Sequence, residues 1–333
     1  MTTQDQKRII AEIGSVHDGS VGNACKLIEL AAVCGADSVK FQTHIAEAES
    51  LPNAPGPKYF SAESRWAYFQ RTAFSAGEWK TIRKTCSDNG VVFVSSPFSI
   101  EAVELLEEVD AEAYKIASGE VTNLPLLERI AETKKPVFLS SGMSNWQEID
   151  RAVDVLRSEC AVVVMQCTSA YPCPPERVGL NVLDLMRERY ELPVGFSDHS
   201  SGKAAAFAAA ALGADVVEKH ITFSRHMYGS DAKFAMEPQE FAGYCQGIRE
   251  VWRMLDTPVD KDDLETFGDM RIIFQKSIVA SENLVAGTRL NRRHLSFKKP
   301  GDGILASEYR TLIGRTLVRS IRENQQIDEK DLA

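Results

Sequence analysis

Two histidines mark where this chain could do chemistry. His199 closes the run Val194-Gly195-Phe196-Ser197-Asp198, and His220 closes Val216-Val217-Glu218-Lys219. A Gly-marked turn and an Ala-rich helical segment lie between them, so the unit reads strand–helix–strand. Parallel strands joined by a helix run the same way, which brings both imidazoles to one rim of the sheet. Two neutral imidazoles on one rim suit a divalent cation such as Mn2+ or Fe2+, with carboxylates or water completing its shell. The alternative is a pair of hydrogen-bonded rim histidines, one of them held by Asp198.

The elements that must carry such a rim alternate from the start of the chain. Strands are expected at Arg8–Gly14, Ser38–Gln42, Val91–Ser95, Ala113–Ile116, Val137–Leu139 and Ala161–Gln166, followed by the two that end in His199 and His220. Amphipathic helices fill the intervals at Gly22–Cys34, Ala76–Asp88, Ile100–Val109, Pro125–Thr133, Asn145–Ser158 and Val182–Tyr190, and Pro238–Leu255 closes the series. One long stretch, Thr43 to about Ser75, reads as irregular and holds several prolines and aromatics. A loop of that length is usually a lid or a partner contact. Eight βα units in roughly 255 residues predict a (β/α)8 TIM barrel, whose active site lies at the C-terminal ends of the strands. A doubly wound sheet is the competitor, but no G-x-G-x-x-G follows the first strand.

The strand ends are polar in a patterned way. They carry Glu12, then Lys40-Phe41-Gln42-Thr43-His44, Ser95-Ser96, Lys115 with Ser118 and Glu120, Ser140-Ser141-Gly142-Met143, and Cys167-Thr168-Ser169-Ala170-Tyr171. Two lysines among hydroxyls make a cradle for a compact dianion such as a phosphate ester. Lys40 and Lys115 have a second reading as buried ion pairs, Lys40 with Glu12 or Glu120. They have a third as Schiff-base nucleophiles of a metal-independent aldolase, in which the histidine pair has no task. A cation beside a phosphate cradle suits a carbonyl polarised next to a phosphorylated partner. Asp231, in the loop after the last strand, is a candidate for holding sugar hydroxyls. Cys167 and Cys173 read as packing.

Bulk properties narrow the class. The chain has 333 residues, 44% hydrophobic and 26% charged, which fits one large α/β domain plus a small one. The longest apolar run, around Ala204–Leu212, is far too short to span a bilayer, and the polar N-terminus carries no secretory signal, so no membrane contact is expected. Seven cysteines without framework spacing predict free thiols and a cytoplasmic protein. A net charge of −9 argues against a nucleic-acid partner. The last 58 residues, from Lys276 onward, hold 11 Lys/Arg against 7 Asp/Glu, so a basic tail follows an acidic main body.

The ordered motifs resemble the sialic acid synthase, or nonulosonate synthase, family. They are Ala11-Glu12-Ile13-Gly14 with His17-x-Gly19, Val39-Lys40-Phe41-Gln42-Thr43, Ser96-Pro97-Phe98, Tyr114-Lys115-Ile116-Ala117-Ser118-Gly119-Glu120, Ser141-Gly142-Met143, Cys167-Thr168 with Tyr171-Pro172, Ser197-Asp198-His199 and Glu218-Lys219-His220. In the tail, Lys298-Lys299-Pro300-Gly301-Asp302-Gly303 and Ile313-Gly314-Arg315 resemble the antifreeze-like (SAF, β-clip) domain of that family. The resemblance spans nearly the whole chain. It implies a catalytic barrel over 1–255, a linker over 256–275 and the SAF domain over 276–333, with short strands such as Ser277–Ala280 and Thr316–Ser320.

The implied reaction condenses phosphoenolpyruvate with the open-chain aldehyde of an N-acylated hexosamine such as N-acetylmannosamine. It gives a nine-carbon 2-keto acid and phosphate by C–O cleavage. Carried over by motif, His199 and His220 hold the metal, Mn2+ first with Mg2+ or Co2+ as alternatives. Lys40, Ser96, Lys115, Ser118 and Ser197, with Ser169 and Tyr171, bind phosphoenolpyruvate. Glu120 sits near the reacting carbons and water. Asp18 and Asp231 hold the sugar, and Gln42 is a further substrate-binding residue. The family forms a domain-swapped homodimer in which the tail covers its partner's barrel mouth. Three departures bear on the sugar. The first loop reads Val16-His17-Asp18-Gly19 where relatives show Asn-His-Glu-Gly or Asn-His-Asn-Gly. Ser169 stands where sialic acid synthases often carry Asn, and Lys299 stands where an arginine is usual. A sister synthase of legionaminate type, taking a diacetamido-trideoxyhexose, is the alternative.

Overall fold

The computed structural model describes residues 7–56 and 63–333. The expectation of no leader rests partly on residues 1–6, and part of the long irregular stretch is 57–62; both segments lie outside that range. Eight parallel strands close into a barrel in chain order. They are β1 (Arg8–Gly14), β2 (Ser38–Thr43), β3 (Val92–Pro97), β4 (Ala113–Ile116), β5 (Val137–Ser140), β6 (Val162–Cys167), β7 (Val194–Asp198) and β8 (Val216–His220). Closure comes from β1 against β8, where Glu12 is the register partner of His220.

The strands are continuously buried, yet their two faces differ. Outward residues such as Ile9, Val39, Phe41, Tyr114, Val164 and Val217 join the shell of helices. Inward residues at the lower end, among them Ile10, Val94, Ala113, Phe138, Val163, Met165 and Val216, form a separate dry plug. Because successive side chains alternate, the next inward position on each strand lies one layer higher. On all eight strands that position is polar or a thiol, and there the site begins.

The helices are held by ordinary chemistry. Trp146–Arg157, for example, starts in a capping box in which Asn145 accepts from Glu148 N–H and Glu148 answers. Its Ile149, Ala152, Val153 and Leu156 face the sheet. Replacing Asn145 by Ala removes the cap, at about 1 kcal/mol.

The stretch expected to be irregular contains two helices, Ala46–Glu49 and Arg65–Thr72. The second starts where the Ser64 hydroxyl accepts from Ala67 N–H, and it buries Tyr68, Phe69 and Thr72. Eight residues rich in aromatics and arginine are too few to reveal a 3.6-residue period, so tertiary burial decides this helix.

The chain divides into compact units at Thr257/Pro258. The C-terminal unit has its own core, built on Ile278, Leu290, Leu295, Leu312, Leu317 and Ile327. Its one ladder pairs β9 (Ser277–Ala280) antiparallel with β10 (Leu295–Lys298). The strand expected at Thr316–Ser320 is replaced by single bridges, Arg289 to Thr316 and Leu317 to Leu332. The segment expected as a linker carries the helix Gly268–Phe274, whose Ile272 carbonyl accepts from Gly301 N–H at 2.7 Å. Among the described residues no helix is long and apolar enough to cross a membrane.

Candidate active site

The polar layer opens into a cavity of about 350 Å³ at the C-terminal ends of the strands. Each strand contributes an inward side chain of this layer to its wall. Strands β1 to β4 give Glu12, Lys40, Ser96 and Lys115. Strands β5 to β8 give Ser140, Cys167, Ser197 and Glu218. His220, two residues beyond Glu218 on the same face, stands above this layer with His199 and Tyr171.

The charges in the layer are mutually paired. Lys40 Nζ lies 2.8 Å from Glu12 Oε2 and 3.7 Å from Glu218 Oε1, and Lys115 Nζ lies 3.4 Å from Glu218 Oε2. Lys115 also donates to Ser140 Oγ at 2.6 Å, and Ser197 Oγ donates to Glu218 Oε1 at 3.0 Å. Register explains the closeness: Glu12 and Lys40 are direct partners across β1 and β2, as are Ser197 and Glu218 across β7 and β8. Burial pushes Glu218 up, but Lys115 and Lys40 outweigh it and bring its carboxyl down to about 2. Burial dominates at Glu12, which is raised despite Lys40, and at Lys115, which is lowered. Of the readings open for Lys40, the ion pair with Glu12 is therefore present, in the same layer as Lys115 and the serine hydroxyls.

Above the layer, the His199 and His220 rings stand 5.9 Å apart. His199 Nδ1 donates to the Thr168 carbonyl at 2.9 Å, which leaves the Nε2 lone pair available. His220 Nδ1 is buried with no hydrogen-bond partner among the described residues, and burial takes its pKa down to about 4, so the ring is neutral. A neutral imidazole with an orphaned nitrogen, beside one with a free lone pair, is a donor set that fits a divalent cation. Among the described residues no third His, Cys, Asp or Glu completes a ready-made cluster, so substrate or water oxygens would fill the remaining positions.

Most of the expected residues converge here. Ser118, Glu120, Gln42 and Asp231 line the same cavity as the lysines and histidines. Burial raises Glu120, whose Oε2 accepts from Asn123 at 2.8 Å. Asp231 Oδ2 accepts from Ser15 N–H at 3.3 Å and from the Ser15 hydroxyl at 3.2 Å. Ser169 is not in the wall, but its hydroxyl and that of Ser118 crowd Gly142, where a Cβ would meet them at 2.5 and 2.6 Å. Asp18 does not reach the wall; it pairs with Arg71 at 2.7 Å. Lys299 belongs to the C-terminal unit, where its ammonium stands 4.8 Å from the centre of the Phe274 ring.

One expectation needs correcting. Cys167 is not mere packing: it lines the cavity with Sγ 3.7 Å from His199 Nδ1 and 3.7 Å from Ser118 Oγ. Burial raises its pKa, but His199 and Lys115 outweigh that and bring it down to about 7. Among further wall residues, Ser15 and Tyr68 had no part in the expected site, and Glu218 and Ser140 were named in the strand-end runs without a role. Glu218 and Ser140 were detectable, because period-two alternation along β8 and β5 puts each on the inward face below the rim. Ser15 and Tyr68 were not, since Tyr68 reaches Ser15 Oγ (2.8 Å) from the short aromatic helix.

The model of the NeuB family matches residues 27–260, and that of the SAF domain matches 275–333. The chain belongs to the NeuB family. It is 35% identical over 330 residues to the N,N'-diacetyllegionaminic acid synthase of Campylobacter jejuni, covering 96% of this chain and 98% of that protein. It is 32% identical to the human N-acetylneuraminate-9-phosphate synthase, covering 97% of this chain and 91% of that protein. Among solved structures, the sialic acid synthetase of Leptospira borgpetersenii in complex with citrate superposes with a TM-score of 0.71 at 27% identity, covering 80% of this chain and 92% of that one. As a NeuB-family protein, the chain is an enzyme, a transferase that forms a carbon–carbon bond.

Proposed function

We propose that this enzyme condenses phosphoenolpyruvate with the open-chain aldehyde of an N-acylated aminohexose, and that the acceptor is of the diacetamido-trideoxyhexose, or legionaminate, type. The products are a nine-carbon 2-keto acid and phosphate. The observation that carries the reaction is the wall itself, where Lys40, Lys115, Ser96, Ser118 and Ser197 meet His199 and His220 in one cavity. The acceptor reading rests on the Campylobacter relative, covered almost end to end, and on Ser169, which stands where sialic acid synthases proper often carry Asn.

Lys40 and Lys115 hold the phosphate and carboxylate of phosphoenolpyruvate, with directed bonds from Ser96, Ser118 and Ser197. Among the described residues Ser96 Oγ is buried without a partner, as a group waiting for a ligand oxygen would be. Tyr171 and Ser169 close this side. Gln42 and Asp231 hold the acceptor so that its aldehyde carbon faces C3 of the enol. A divalent cation on His199 and His220, Mn2+ in preference to Mg2+ or Co2+, supplies Lewis acidity toward the aldehyde oxygen when bound. Glu120, raised by burial, donates a proton to that oxygen as the C–C bond forms, and its carboxylate then takes one from the water adding at C2. Phosphate leaves C2 with its bridging oxygen, and the remaining C2 hydroxyl collapses to the ketone. Lys115 is tied to Glu218 and Ser140, and a Schiff-base role for it would leave the histidine pair without a task. A domain-swapped homodimer, with Lys299 offered to the partner's acceptor, is part of the proposal.

The test is phosphate release from phosphoenolpyruvate labelled with 18O in the C–O–P bridge. The assay uses Mn2+ with diacetamido-trideoxymannose, N-acetylmannosamine and its 6-phosphate in parallel. Release of labelled phosphate with the first sugar, lost on chelation and in His220→Ala, is expected. Release with N-acetylmannosamine alone overturns the acceptor reading, and unlabelled phosphate overturns the C–O cleavage.

A further inference from the structure

His44 lies at the cavity wall but has no part in the mechanism above. Its ring is stacked between two phenyl faces, 3.7 Å from the centre of Phe69 and 4.2 Å from that of Phe98, with interplanar angles of 9° and 17°. Both nitrogens are engaged. Nδ1 is 2.8 Å from Glu49 Oε2, and Nε2 is 3.2 Å from Gln42 Oε1. The far end of the Gln42 side chain is also fixed, since Nε2 donates to Glu12 Oε1 at 2.8 Å. Turning the amide over would set its oxygen against the Glu12 carboxylate, so Gln42 must show Oε1 to His44. That oxygen accepts only. His44 Nε2 must therefore carry a proton, and a second proton must lie between Nδ1 and Glu49.

That second proton belongs on the ring. Arg65 Nη2 lies 3.8 Å from Glu49 Oε1 and favours the carboxylate. Two aromatic faces favour a cation between them. The other titratable groups facing this network are Glu12 through Gln42, and Glu120 and His17 at longer range. The carboxylates favour the charged ring, and His17, brought down to about 4 by burial, is neutral.

We propose that His44 is a positioning residue: an imidazolium that donates from both nitrogens and locks the Gln42 amide with its NH2 group toward Glu12 and the cavity. Gln42 Nε2 makes one hydrogen bond among the described residues, to Glu12, so its second N–H is available to an acceptor oxygen. The functional half of this inference rests on the reading that the cavity takes an aldose beside Gln42; the charge state does not.

The experiment has two arms on the full-length enzyme. Proton–nitrogen correlation spectra of 15N-histidine-labelled protein at neutral pH, with His44→Gln to assign the signal, read the ring directly. Both His44 nitrogens are expected at imidazolium shifts. A neutral pattern, with one unprotonated nitrogen, overturns the charge. In Glu49→Gln the carboxamide NH2 can donate to Nδ1, so the ring turns neutral while Gln42 keeps its orientation. The second arm is kinetic. His44→Phe keeps the aromatic stack but has no donor, and the KM for the aldose is expected to rise about tenfold with the KM for phosphoenolpyruvate held. Glu49→Gln is expected to keep the wild-type aldose KM. An unchanged aldose KM in His44→Phe, or equal losses in His44→Phe and Glu49→Gln, overturns the positioning role. Should no aldose turn over, the proposed function fails, and the spectra still decide the imidazolium.

Discussion

Glu218 is the residue whose loss tests the charge layer most directly. It sits 4% exposed between two ammonium groups, 3.7 Å from Lys40 and 3.4 Å from Lys115, and accepts from Ser197. At an effective dielectric of about 20, each contact corresponds to roughly 4–5 kcal/mol of attraction, most of which offsets the desolvation of burying the ions. Removing one partner does not return that desolvation, because the lysines stay buried. The measured cost of breaking such a pair is about 3–5 kcal/mol, a large share of the roughly 5–15 kcal/mol that holds a domain folded. Glu218→Gln is nearly isosteric, so its cost isolates the charge.

The assay is urea unfolding followed by tryptophan fluorescence. Trp66, Trp79, Trp146 and Trp252 all lie in the barrel unit, so the signal reports the barrel alone. The midpoint is expected to fall by an amount worth about 3–5 kcal/mol with the slope unchanged. Phosphoenolpyruvate should then restore more stability to the variant than to the wild type, because its phosphate meets two lysines no longer satisfied by Glu218. At one hundred times Kd the linkage amounts to about 2.7 kcal/mol, and tighter binding raises it. A variant as stable as the wild type refutes the buried-pair reasoning. Equal stabilisation of both by phosphoenolpyruvate refutes the competition between Glu218 and ligand.

Two other perturbations follow from local geometry. Gly142→Ala puts a Cβ 2.5 Å from Ser169 Oγ and 2.6 Å from Ser118 Oγ, so both hydroxyls must turn away. The KM for phosphoenolpyruvate should rise about tenfold in phosphate-release kinetics while stability falls by only about 1–3 kcal/mol, because side chains rather than backbone give way. In the C-terminal unit, burial raises Asp331, but Arg319 and the Asp328 N–H outweigh it, so the folded carboxyl titrates below its ordinary value. A depressed folded pKa means that the stabilisation is complete above the unfolded value of about 3.9 and is lost as pH falls through the folded one. Methyl resonances of Leu317 and Leu332 should therefore broaden or shift below about pH 4 in the wild type, and this acid step should be absent in Asp331→Asn.

The barrel was legible because its strands follow one another with a helix between each pair, and because the polar residues recur at strand ends. The pairing inside the barrel was harder to read, for a physical reason. Alternation along one strand tells that Glu12 and Lys40 both point inward, but only the register across β1 and β2 makes them partners. Glu218 shows the same limit: its neighbours Lys40 and Lys115 come from β2 and β4, which no local pattern links to β8. Tyr68 and the aromatic stack around His44 were hidden for another reason. The helix Arg65–Thr72 is too short to announce itself, and it brings Phe69 onto His44 through tertiary packing.

The two carboxylates give the cradle a property that an array of bare cations lacks. Lysines left unpaired in so buried a layer would lose their protons, since burial already pulls Lys115 down. Glu12 and Glu218 keep both ammonium groups charged and in place before any ligand arrives, at the cost of competing with it. Under the proposed function, affinity for the phosphate ester is then the difference between two strong interactions. A dianion with a carboxylate beside it can take over both lysines at once, whereas a singly charged ligand can replace only one partner. Preorganisation and selectivity for a doubly anionic substrate therefore arise from the same pair of glutamates, one on each strand flanking the point where the barrel closes.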